Sequence, residues 1–158
     1  LYLENWSIMI LSIFMSVAVI VSPVVQIPQS HEYRTAHSEA AQDWKGFEPS
    51  LYAGKWFDPK LENQRECISF RESRHNYRAR STVSSAAGTY QFLDNFWRDS
   101  LVWMLLPEAK KVGLQDEIEE LRNKPIENWN RYWQDAAFYT VWAHGKGAKH
   151  WNLTRHGC

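Results

Sequence analysis

A chain of 158 residues with 18 basic and 18 acidic side chains carries no formal net charge, which excludes the basic footprint of a nucleic-acid binder. The length allows one domain with appendages. A core of roughly 100 residues is small enough that a covalent staple helps it.

From the start, Glu4 is the only charged residue in 1–27, so 18 basic side chains face 17 acidic ones from Pro28 onward. Trp6 to Val21 is uncharged and almost wholly apolar. Extended to Ile27 it is long enough to cross a bilayer, with Pro23 ending the helix near Ser22. No Lys or Arg precedes it, so the basic region of a secretory signal is missing. The first expectation is a signal-anchor helix over 1–27, contacting the membrane through residues 6–22. The second is a cleaved signal peptide, and a buried core helix is disfavoured by the lack of a polar face.

Residues 28–57 are polar and punctuated by Pro28, Gly46, Pro49 and Gly54. They read as a linker or loose collar, with a short helix at Ser38 to Trp44, and Trp44, Phe47, Tyr52, Trp56 and Phe57 suggest that the second half packs on something. A domain over 58–158 then follows. Asp58-Pro59 is an N-cap followed by a favoured first helical residue, and the helix runs to about Glu72 or Ser73. At 100° per residue Leu61, Ile68 and Glu72 share a narrow arc. An acid that continues an apolar stripe has a raised pKa, as a general acid requires. The competing reading is a Glu72 paired with Arg71, Arg74 or Arg78.

His75 to Ala87 lacks periodicity and reads as a loop beside a cleft, with short β-structure near Gly88 to Phe92. Gly88 permits a close backbone approach or positive φ. Gln91 offers an amide to a sugar hydroxyl or N-acetyl group. Asp94 or Asn95 caps a helix expected to end at Pro107. Glu108 to Asn123 is weakly helical and broken at Gly113, with a solvated charge run. Asn128 to His144 reads as the last helix, with Trp129, Trp133, Ala136 or Ala137, and Thr140 on one stripe, stopped by Gly145.

Two cysteines, Cys67 and Cys158, downstream of an export-like segment favour a disulfide over free thiols. The long loop it closes sets an upper stabilisation of about 4.6 kcal/mol. Cys67 as a nucleophile with a histidine partner is the alternative. His144, His150 and His156 recur near the end, but their spacing fits no usual zinc pattern, so no metal is expected. No phosphate-cradling glycine loop is present, and no cofactor is expected. Asn152-Leu153-Thr154 matches the glycosylation acceptor pattern, a short and often fortuitous one.

Cys67, Glu72-Ser73, Asn76-Tyr77, Gly88-Thr89-Tyr90-Gln91-Phe92 and Trp97 occur in that order. Gln134-Asp135-Ala136-Ala137-Phe138, Trp142, Gly145-Lys146-Gly147, Trp151 and Cys158 close the chain. Together they resemble the transglycosylase-like domain of resuscitation-promoting factors and its relatives in actinobacterial and phage cell-wall lysins, within the lysozyme-like superfamily. The resemblance covers about Asp58 to Cys158. It implies an α+β, mostly α domain with a small lysozyme-type β-element. It further implies a peptidoglycan strand as partner, Glu72 as the catalytic general acid and a Cys67–Cys158 disulfide. Asn76, Tyr77, Tyr90, Gln91 and Trp97 are the residues it places along the sugar. An exported location, secreted or membrane-anchored and facing the cell wall, follows from the same resemblance. Cleavage would fall between N-acetylmuramic acid and N-acetylglucosamine, by transglycosylation or by hydrolysis with a second carboxylate. Asp94, the nearest acid after the loop, reads better as a cap. Two departures stand out. Arg74-His75 replaces the two glycines that relatives favour after Glu-Ser, and Met104 to Asn130 reads as an inserted helical flap. The rival expectation is a non-catalytic glycan-binding or membrane-anchored scaffold module of the same fold.

Overall fold

Every residue from Arg131 to Val141 is buried, which makes the helix that carries them the axis of the domain. A computed structural model describes residues 30–47, 49–151 and 157–158. The expected N-terminal helix, the Asn152 acceptor triplet and His156 lie outside these residues. Among the described residues no helix is long and apolar enough to cross a membrane.

The helices, in chain order, are α1 (His31–Ala36), α2 (Glu39–Gln42), α3 (Glu62–Ser73), α4 (Asp94–Val112), α5 (Gln115–Glu120), α6 (Arg131–Ala143) and α7 (Gly147–His150). A hairpin of β1 (Ala86–Ala87) and β2 (Phe92–Leu93) pairs antiparallel, Ala87 opposite Phe92, and Arg80 extends it by a bridge to Ala87. The domain is thus mostly helical with one small sheet.

Local chemistry accounts for most element ends. Ser30, Ser38 and Asn130 cap α1, α2 and α6 by accepting from the amides of Tyr33, Ala41 and Trp133, the usual way to satisfy an orphan helix donor. Asp58 caps a 3-10 turn at Pro59–Leu61 that leads into α3. Gly113 and Gly145 take positive φ just past α4 and near the end of α6, where side chains other than glycine are strained.

Three expectations need correcting. From Ser30 onward the 28–57 stretch is a collar packed on the domain, as its aromatic second half suggested, and not a linker. Ala36, Ala41 and Tyr52 are buried in the core, and α1 and α2 pack on α6. That cover is why α6 is enclosed around its circumference instead of along one stripe. Second, α4 runs through Pro107 to Val112. Pro107 is exposed beside Trp103, so water can take the carbonyl that proline leaves unpaired, while Leu105 and Ala109 hold the opposite side in the core. Third, 104–130 is no flap. Leu105, Leu114, Ile118, Leu121, Ile126 and Trp129 are all buried.

The core is also more polar than the apolar pattern implied. Arg65, Gln134 and Asp135 are fully buried. The Gln134 amide donates to the carbonyls of Tyr77, Ile126 and Trp129 and accepts from the Thr89 amide at 2.8 Å. Gly88, with φ +75, passes so close that a Cβ there would meet Gln134 Oε1 at 2.3 Å. Gly88 therefore serves both backbone and packing.

Candidate active site

Helix α3 ends in a two-residue left-handed exit, Arg74 at φ 58 and His75 at φ 61. A side chain with a Cβ is strained in this conformation. In this chain contacts offset the strain. The Arg74 guanidinium lies 4.3 Å over the Phe70 ring. His75 stacks on Phe47 at 4.0 Å, and its Nδ1 is 3.0 Å from Ser69 Oγ. The Arg74 and Phe70 backbones close the helix by an N–H to carbonyl bond of 2.9 Å.

The same helix end is stitched to the hairpin. Ser73 Oγ donates to the Thr89 carbonyl at 2.9 Å, and Ser69 Oγ lies 2.7 Å from Thr89 Oγ1. The other flank is tied to the end of the chain. The sulfurs of Cys67 and Cys158 are 2.14 Å apart, at disulfide distance, and Gln64 Nε2 donates to the Cys158 carbonyl.

Glu72 projects from this fixed turn. Its surroundings differ from the apolar stripe expected of it. Arg71 donates to Glu72 Oε1 from Nε at 3.0 Å and from Nη2 at 2.7 Å, and Arg71 Nη2 also reaches the Trp151 carbonyl at 2.7 Å. Of the three arginines the sequence offered, Arg71 is the partner. Arg74 sits on Phe70, and Arg78 lies over the Trp44 ring at 5.8 Å. Among the described residues no donor reaches Glu72 Oε2, and the side chain is 28% exposed. Among the described residues, one oxygen is anchored and the other meets no donor.

No family model, no curated protein and no solved structure matches the chain. The chemistry therefore rests on the residues alone.

Two expected sugar contacts are corrected. Tyr77 and Tyr90 are 1% and 0% exposed, and both hydroxyls donate to Asp135 Oδ1 at 2.6 Å. A buried carboxylate needs donors, and these tyrosines supply them. Burial and Asp135 push both phenols well above their ordinary range. Asn76 is partly exposed and accepts from the Arg78 amide at 2.9 Å, a turn-making bond. Gln91, at φ 51, donates from Nε2 to the Gly88 carbonyl at 2.9 Å and so braces the hairpin turn. Trp97 is partly buried and faces a groove of about 890 Å3 with Phe96, Trp103 and His150.

Asp94 is engaged by structural partners. Burial raises its carboxyl, but Arg98, the Ile126 amide at 3.1 Å and Arg80 at 3.3 Å outweigh that and hold it below its ordinary value. Among the described residues no cluster of His, Cys, Asp and Glu is arranged to hold a metal. His144 tilts against Trp56 at 5.4 Å.

His150 lies among aromatic rings, stacked on Phe92 at 5.2 Å and edge-on to Trp97 and Trp151 at 5.1 and 4.7 Å. Burial pushes its imidazole down from 6.5 to about 4. Between those values the unfolded chain binds more protons than the folded one, so stability falls as pH drops through that window. Urea melts at about pH 7 and about pH 4.5 are expected to differ by about 2–3 kcal/mol from this group, and His150→Gln removes that part of the difference.

Sequence reasoning missed Arg65 and Asp135 as a buried pair and Thr89 as the link between helix and hairpin. Thr89 and Asp135 stood inside the quoted motifs, but nothing in those motifs assigned them a partner.

Proposed function

We propose that this domain cleaves the β-1,4 bond between N-acetylmuramic acid and N-acetylglucosamine in peptidoglycan, as a lytic transglycosylase with Glu72 as general acid. The observation that carries the reading is the one-sided anchoring of Glu72. Arg71 fixes Oε1, and among the described residues no donor meets Oε2, the oxygen that would carry a proton to the glycosidic oxygen. Proton donation by a positioned carboxyl is what breaking this bond demands. As the leaving oxygen takes the proton, the 6-hydroxyl of the muramic acid closes on C1. Glu72, now a carboxylate, takes the hydroxyl proton, and a 1,6-anhydro end results. Because Asp94 is committed to Arg98, Arg80 and Ile126, it is withheld from activating water, which favours this route over hydrolysis. The reading needs no cofactor. It puts the domain on the cell-wall side of a membrane, either secreted or held by the N-terminal apolar run.

The second reading is a glycan-binding module without catalysis. It is favoured by the Arg71–Glu72 ion pair at 2.7 Å, which gives the carboxylate a structural partner. Mass spectrometry of muropeptides released from purified peptidoglycan by the oxidised protein separates the two. Anhydro-muramyl ends are the expected product. Reducing muramic ends would move the reaction to hydrolysis, and no release by folded, disulfide-bonded protein would leave only the module.

A further inference from the structure

We propose that the outer face of α4 docks on an anionic lipid bilayer, independently of the glycan chemistry at Glu72. Trp103 and Phe96 are each 69% exposed, an unusual cost for two large rings unless a partner covers them. They stand on one face of α4, two turns apart, with Pro107 and Lys110 continuing the row. Trp103 forms a ridge between two grooves of about 650 and 890 Å3. The first carries Lys55, Lys110 and Lys111 on its walls, and the second carries Lys146 and Lys149. All five lysines are exposed.

The acids on this face are already answered. Asp99 pairs with Arg122 at 3.6 Å. Glu108 turns inward, accepting from Tyr52 Oη at 2.6 Å and the Lys55 amide at 2.7 Å. A chain of zero net charge thus gathers an excess of cations around an exposed tryptophan. Amphipathic rings at headgroup depth, ringed by lysines, are how proteins sit on anionic membrane surfaces.

The chain's entry point selects lipid among the possible occupants. Ser30 Oγ donates to the Val112 carbonyl at 3.1 Å, so the described chain enters at the Lys110–Lys111 end of α4. The uncharged run Trp6–Val21 precedes it, and the connector 22–29 spans at most about 28 Å even when fully extended. A bilayer that holds that run lies within reach of this face.

The test uses the whole chain in lipid nanodiscs, with an environment-sensitive fluorophore on Ser100→Cys beside Trp103. The control label is on Lys45→Cys, next to Trp44, which borders the N-terminal end of α6. In discs of about one-third phosphatidylglycerol, spin-labelled lipid is expected to quench the label at 100 by about twofold and leave the label at 45 unchanged. Each lysine near an anionic surface is worth about fivefold in partitioning. Lys110→Gln with Lys111→Gln, or about 0.5 M salt, is therefore expected to abolish the quenching while the chain stays in the disc. Equal quenching in purely zwitterionic discs would overturn the proposal. So would a label at 100 that responds to added glycan strands and not to lipid. Emission already shifted at 100 without lipid quenching would give the groove to the chain's own N-terminal run, and would overturn it too.

Discussion

Arg65→Met is expected to lower unfolding stability by about 3–5 kcal/mol, read as a shift in the urea midpoint at unchanged slope. The guanidinium is fully buried, and its bonds join four separate parts of the chain. Nε and Nη2 donate to the two Glu62 oxygens at 3.1 Å each. Nη2 also meets the Phe47 carbonyl at 2.7 Å, and Nη1 meets Tyr90 Oη at 3.2 Å. Nη1 is 3.8 Å from Asp135 Oδ1, and Asp135 is 0% exposed. Methionine of similar length fills the space but leaves two carboxylates without their cation. Removing one partner of a buried pair costs far more than the pair contributes, because the remaining charge stays desolvated. The effect has a pH signature. Burial raises the Glu62 carboxyl, yet Arg65 and Tyr139 outweigh it and hold it below its ordinary value of 4.5. A depressed carboxyl stabilises the fold above its unfolded pKa, and that share is lost as pH falls through the lower folded value. In Arg65→Met most of that share is absent at neutral pH, so the variant loses less on acidification below about pH 4.5. A midpoint unchanged by Arg65→Met would mean that the network leaves no net electrostatic mark on stability.

This network also marks how far the sequence could be read. Helix starts at Ser38, Asp58 and the Asn128–Arg131 region, and stops at Gly113 and Gly145, follow from capping and backbone freedom, which depend on near neighbours. The hairpin was legible around Gly88 for the same reason. The roles of Tyr77 and Tyr90 were not, because their acceptor lies 58 and 45 residues away. A tyrosine with a polar tip suits a sugar edge and a buried carboxylate equally well. Residues 30–57 misled by composition. Their polar side chains dominate the pattern, and the anchors, Ala36, Ala41 and Tyr52 with the partly buried Tyr33, Trp44, Leu51, Trp56 and Phe57, recur at no regular period. Pro107 misled because the rule that it ends a helix assumes a carbonyl with nowhere else to turn. At the candidate site, the position of Glu72 at the end of α3 was legible from spacing. Its partner was not, since three arginines within six residues of it competed and only the left-handed exit at Arg74 and His75 turns two of them away.

Glu72→Gln is expected to reduce release of anhydro-muropeptides by about 10²- to 10⁴-fold, the share that a positioned general acid contributes. The substitution is nearly isosteric. The amide oxygen can still accept from Arg71 Nε and Nη2, so the anchoring seen at 3.0 and 2.7 Å is retained. What changes is the open side, where an amide nitrogen replaces the oxygen that would carry the proton. An amide cannot give that proton to a leaving glycosidic oxygen. Stability is expected to move by no more than about 1 kcal/mol, because a partly exposed ion pair contributes little. Binding to purified cell wall is expected to persist, since the disulfide, the Ser69–Ser73–Thr89 stitch and the hairpin are untouched. These three readouts together isolate the proton. A folded variant that binds but does not cleave locates the chemistry at Glu72. A variant that cleaves at the parent rate removes Glu72 from the reaction and, with Asp94 held by Arg98 and Arg80, requires a proton donor other than these two carboxylates.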